Sequence, residues 1–206
     1  MTGEPRKVET LDFAGAFEQG WIQYRSNFFK FFIAGVPVSV PAYLFFSDIA
    51  AGIFLTLALQ GFFFMLLADV ISGTSSGRGL KFLNIKPACV FFVRGFFISL
   101  FLLPFLAAGF ALLVIPGVFL FSVFMFSFFY ASINGLGAVD SCLESMRCGA
   151  GYRLSLFLFS LIFFSSMAVA FMISELFPPL FIFLGALLFP YFFSVIFEFY
   201  EQLENK

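Results

Sequence analysis

The chain has 206 residues, a net charge of −1, and 62% hydrophobic against 11% charged residues, where an ordinary soluble domain carries roughly 25% charge. A mean hydropathy of +1.05 excludes a water-soluble fold, since no core of this size hides so much apolar surface. The near-zero net charge excludes a basic field for nucleic acid, and nothing outside the apolar segments is long enough for a second folded domain.

Residues 1–27 carry Glu4, Arg6, Lys7, Glu9, Asp12, Glu18 and Arg25 with no early apolar core, so the first span is expected to be an uncleaved anchor. Within this segment Phe13, Phe17, Trp21, Tyr24 and Phe28 recur at spacings of four, four, three and four. That period predicts an amphipathic helix on the cytoplasmic membrane surface, with Phe13, Phe17, Trp21 and Tyr24 as interfacial anchors. Six apolar segments follow: Phe28–Phe46, Ile49–Ile71, Phe91–Ile115, Val118–Ile133, Leu156–Phe177 and Leu180–Phe197. A helix rises 1.5 Å per residue, so segments of this order cross a hydrocarbon core about 30 Å thick. They predict an all-α, polytopic six-helix transmembrane domain over residues 28–199, with a short tail at 200–206.

The connections alternate in kind. Ser47-Asp48, Pro116-Gly117 and Pro178-Pro179 are short and carry no Lys or Arg, whereas the N-terminal side, the stretch from Ser72 to Arg94, the stretch from Asn134 to Ser155 and the tail hold all eleven. Basic residues near span ends favour the cytoplasmic side. Both termini and both long loops are therefore expected in the cytoplasm, and the spans pair as three hairpins, each with a cytoplasmic lead-in. The middle lead-in starts with the flexible stretch SGTSSGRG; its Lys81 and Lys86 suit anionic lipid, although positive-inside bias explains them more simply. In the third lead-in, Val139, Cys142, Leu143, Met146 and Ala150 are assigned to an apolar face and Asp140, Ser141, Glu144, Ser145 and Arg147 to a polar one.

The run from Ile115 to Leu154, IPGVFLFSVFMFSFFYASINGLGAVDSCLESMRCGAGYRL, joins a Pro-Gly turn, a span, a Gly-Ala-x-acid helix start, and then Ser145, Arg147, Gly151 and Arg153. With the opening DFAGAFEQGWIQYRSNFFKFF, it resembles the YciC-like bacterial integral membrane family, and the membrane domain that precedes some glycerophosphodiester phosphodiesterases. Met146 and Asn134 depart from that pattern, and no phosphodiesterase domain is expected here. The resemblance implies a six-span bundle in the bacterial cytoplasmic (inner) membrane and supplies no catalytic residues. At the matching positions, Pro116-Gly117 is expected to make a tight turn. Gly137 is expected to end span four and admit Asp140 to the first turn of the next helix. Glu144 and Arg147 are placed to pair, and Gly149 and Gly151 to break that helix before Arg153.

There is no His, which removes the commonest general base and metal ligand. Cys89, Cys142 and Cys148 have no paired spacing. Asp48 and Glu175 are assigned to the outer edge and Asp69 and Glu198 to the inner one, so no carboxylate pair is poised for catalysis. The expectation is a non-enzymatic protein with no cofactor or metal, a scaffold whose partners are membrane lipids and a membrane protein or a second copy of itself. The alternative is a small-solute or lipid carrier, for which Gln60, an intramembrane polar residue explained more simply by an interhelical hydrogen bond, is the candidate.

Overall fold

The computed structural model describes residues 11–47, 59–77, 80–81, 85–112, 114–174, 177 and 179–204. Among these residues the chain is all-helical, with no strand. The helices are α1 (Phe13–Ser26), α2 (Phe28–Ser47), α3 (Gly61–Ser75), α4 (Ile85–Leu112), α5 (Val114–Phe124), α6 (Ser127–Ile133), α7 (Ala138–Cys148), α8 (Arg153–Ser174) and α9 (Pro179–Glu204). A 3₁₀ turn over Gly149–Tyr152 joins α7 to α8.

Four helical stretches are long and apolar enough to cross a membrane: Lys86–Leu106, Val114–Ile133, Ala138–Ser174 and Pro179–Glu204. Phe28–Pro41 and Gly61–Ser75 are shorter apolar helices. The chain therefore has the make-up of a multi-pass membrane protein. The Ser47-Asp48 and Pro178-Pro179 turns and the first part of the Ile49–Ile71 segment fall partly or wholly outside the described residues. Helix ends differ from the apolar limits because helices continue past the hydrocarbon: α4 starts at Ile85 rather than Phe91, and α9 runs on to Glu204.

Pro116 and Gly117 do not form a turn. They lie near the start of α5, which begins at Val114. Proline is tolerated there because the first N–H groups of a helix have no partner inside it.

Close approach of backbones at small residues sets the packing. In lipid there is little hydrophobic drive between apolar helices, so association depends on van der Waals contact, which small residues permit. Helix α2 packs most extensively against α9, with Gly35 over the Ala186 carbonyl and Gly185 facing the Ser39 Cβ. Gly35 and Ser39 stand four residues apart, the small-xxx-small spacing. Gly61 of α3 and Gly95 of α4 face each other reciprocally, and Ser99, four residues beyond Gly95, lines the same crossing. Gly109 and Gly117 bring α4 and α5 together.

Aromatic rings fill the space where the helices diverge. Phe129 of α6 meets Phe193, Phe197 and Tyr200 of α9 at centroid distances of 6.0, 5.6 and 6.0 Å, and Phe64 of α3 stacks on Phe193 at 5.1 Å. Residues 127–132 are all buried, which places α6 at the centre of the molecule.

A Cβ at Gly61 would overlap the Gly95 carbonyl, which is backbone and has no way to rotate aside. Gly61→Leu should cost on the order of 2 kcal/mol or more, read as a lower Tm in detergent. Gly151→Ala, where a Cβ meets open space, should leave Tm unchanged.

Candidate functional site

Polar side chains gather where α6 ends. The last four carbonyls of a helix lack intrahelical partners and carry the negative end of its dipole, so they attract cations. Lys81 Nζ donates to the Ser132 carbonyl at 2.8 Å, and Arg94 of α4 approaches the Ala131 carbonyl at 3.4 Å. The Lys81 backbone N–H in turn donates to Asp69 Oδ2 at 2.8 Å, which supplies a polar partner for a carboxylate only 3% exposed. The Tyr130 hydroxyl donates to Glu204 at the end of α9, and Tyr200 donates weakly to Asn134 Oδ1 at 3.5 Å. These contacts tie α3, α4, α6 and α9 together at one end.

Helix α7 crosses this end. The chain enters it at Gly137, an N-cap in extended conformation that needs no side chain, and Asp140 occupies the first turn. At about 100° per residue, its side chains divide into three sectors. Ser141, Cys142, Ser145 and the following Gly149 face the bundle and are buried. Asp140, Glu144 and Arg147 make a charged sector, in which Arg147 and Glu144 pair at 3.4 Å. Both are substantially exposed, so that pair contributes only about 0.2–0.5 kcal/mol. Val139, Leu143 and Met146 form an outward apolar stripe, 53%, 44% and 37% exposed.

The division into one apolar and one polar face thus becomes three sectors: Ser141 and Ser145 part from Asp140, Glu144 and Arg147, and Cys142 from Val139, Leu143 and Met146. The buried sector carries small, weakly polar groups, and Ser145 shows why. The stretch from α5 to α6 is interrupted at Met125-Phe126, which leaves buried backbone groups to be satisfied. Ser145 Oγ accepts the Phe126 N–H at 3.2 Å and donates to the Val123 carbonyl at 2.9 Å, bridging the break.

At the N-terminal end, the aromatic stripe of α1 is turned towards α8 and α9. Phe13 lies 5.0 Å from Phe199, Phe17 lies 5.9 Å from Phe159, and Tyr24 and Trp21 each lie 5.9 Å from Tyr191. Gly20 allows this approach by facing Val195. Burial raises the Tyr24 hydroxyl above its ordinary pKa. Trp21 is half exposed and is the member of the four with the largest outward edge. Asp12 Oδ1 accepts the Gly15 N–H at 2.9 Å as the N-cap of α1. The Asp12 backbone and the Gln202 amide exchange hydrogen bonds at 3.1 and 3.2 Å, and Gln23 Nε2 donates to the Ile71 carbonyl.

Gln60 is buried in a π turn ahead of α3, and its Oε1 accepts no hydrogen bond among the described residues. Arg153 begins α8, and Gly151 is an exposed residue of the 3₁₀ turn. Sequence reasoning missed the roles of Lys81, Arg94, Tyr130 and Glu204, whose partners are backbone carbonyls or residues distant in sequence. The signal available was Lys81 itself, twelve residues after an Asp that needs a partner.

No protein-family model matches the chain, and neither a curated protein nor a solved structure shows significant similarity to it.

Ser145→Ala removes both partners of the break and should cost about 1–3 kcal/mol, seen as a lower Tm in detergent. Ser166→Ala, whose hydroxyl only returns to the Ile162 carbonyl of its own helix, should change Tm little. Equal values for the two variants would refute the bridging role.

Proposed function

We propose that this is a non-enzymatic, six-span integral membrane protein of the bacterial cytoplasmic membrane, akin to the YciC-like family. In this reading both termini are cytoplasmic, the spans pair as three hairpins, and the molecule organises lipid at its cytoplasmic surface. The distribution of Lys and Arg supports the orientation, since all eleven fall on alternate connections or, for Lys30 and Arg94, just inside the adjoining span ends. The four long apolar helices and two shorter ones are compatible with the span count.

The observation that carries the function is the outward stripe of α7. A surface helix in water would bury its apolar side chains and expose its polar ones. Here the small residues go inwards while Val139, Leu143 and Met146 face out, beside a charged sector. That arrangement suits a helix lying in the plane of the headgroups, its stripe in the acyl boundary and its charges towards water. With Trp21 half exposed on α1, the molecule offers lipid two amphipathic contacts.

The test is native mass spectrometry of the full chain extracted gently from its own membrane, wild type beside Leu143→Gln/Met146→Gln. Gln keeps helix propensity, so Tm should stay near the wild-type value. Wild type should retain a dominant lipid class, and the variant should lose most of it. Equal retention would remove α7 from the account. A stoichiometric protein partner without lipid, or a bare wild-type protein, would overturn the lipid-organising reading; the bare protein would redirect attention to transport, beginning with the flux of Gln60→Leu.

A further inference from the structure

Beside the outward stripe, α4 and the start of α7 enclose an open groove of about 630 Å³. Its walls are apolar, chiefly Val93, Phe97, Leu100 and Phe101 of α4 with Val139 of α7, and two charged residues line it, Arg94 and Asp140. The two come from different helices, and among the described residues they form no ion pair with each other. Arg94 approaches the Ala131 carbonyl with one N–H, and a guanidinium has five. Asp140 is exposed. The groove therefore presents one cation and one anion to the same occupant, above a slope of exposed Phe97 and Leu100 side chains that continues along a membrane-length helix.

We infer that this groove holds a zwitterionic phospholipid, phosphatidylethanolamine, with its phosphate on Arg94, its ammonium on Asp140 and an acyl chain along Phe97, Leu100 and Phe101. The inference rests on the lipid-organising reading above and gives it a headgroup. Charge complementarity selects the occupant. An anionic glycerol headgroup satisfies Arg94 but leaves Asp140 facing a phosphate with no cation between them. A choline headgroup balances the charge, but its quaternary nitrogen has no N–H to donate. A primary ammonium donates charge-assisted hydrogen bonds to a carboxylate, the stronger class of such bonds.

The full-length protein, reconstituted in vesicles of equal phosphatidylethanolamine, phosphatidylglycerol and phosphatidylcholine and released into mild detergent, is read by native mass spectrometry for bound lipid. Wild type should retain phosphatidylethanolamine about tenfold over each of the other two lipids, a ratio equivalent to about 1.4 kcal/mol. Asp140→Asn should abolish that preference, and Asp140→Lys should turn it towards phosphatidylglycerol. Arg94→Gln should lower retention of every phospholipid. Because Arg94 also approaches the end of α6, its loss can unfold the protein, so the two Asp140 variants decide the matter alone. Lipid retained in vesicle proportions by wild type, or an unchanged preference in Asp140→Asn, overturns the inference. If Leu143→Gln/Met146→Gln still sheds lipid in either case, the α7 surface stands and only the headgroup assignment falls.

Discussion

Close backbone contact at glycine is the constraint on which the rest of the packing depends. Apolar helices gain little by leaving lipid for one another, so a bundle needs points where backbones come near enough for dispersion to count. Gly35 and Gly185 supply one such point, Gly61 and Gly95 a second, Gly109 and Gly117 a third. Helices that touch at one point diverge on either side of it, and the gaps must be filled to near-crystalline density. Phe, present 39 times, does this filling. The offset and edge-on ring pairs around Phe129, Phe163 and Phe193 are geometries that aromatic rings favour.

A second constraint is that no backbone group in such a bundle goes without a partner at low cost. The interruption at Met125-Phe126 lies deep in the molecule, so the side chain that repairs it must come from elsewhere. It comes from Ser145 of α7. The free carbonyls at the end of α6 receive Lys81 and Arg94 in the same way. Segments that look like mere connections in the sequence thus complete the hydrogen bonding of the central helix.

Much of this architecture is legible in the sequence, and its failures have a common cause. Apolar length identifies the long helices, and the alternation of basic residues suggests an orientation. Hydropathy records how much a side chain avoids water, but not what it touches. It therefore detected the stripe of Phe13, Phe17, Trp21 and Tyr24 and assigned it to the membrane surface, with no means of seeing the rings of α8 and α9 that Phe13, Phe17 and Tyr24 meet. It grouped Ser141 and Ser145 with the charged residues because a buried hydroxyl bonded to a backbone looks the same as an exposed one. Pro116-Gly117 looked like a turn because its helix-starting role depends on where α5 begins, three residues or fewer away. The cluster around Asp69, Lys81 and Arg94 stayed hidden because most of its partners are backbone atoms, which carry no sequence signal.

The polar groups of the molecule then divide by what they meet. Ser145, Lys81 and Asp69 are engaged with backbone, and each contributes to holding helices in place. Asp140 is different: it is exposed, shares a groove with Arg94 and does not pair with it. The apolar wall between α4 and α7 leads from them along a membrane-length helix. In the lipid reading proposed above, such a groove selects its ligand by the order of charges along an apolar tail, while the aromatic core holds the helices that form it.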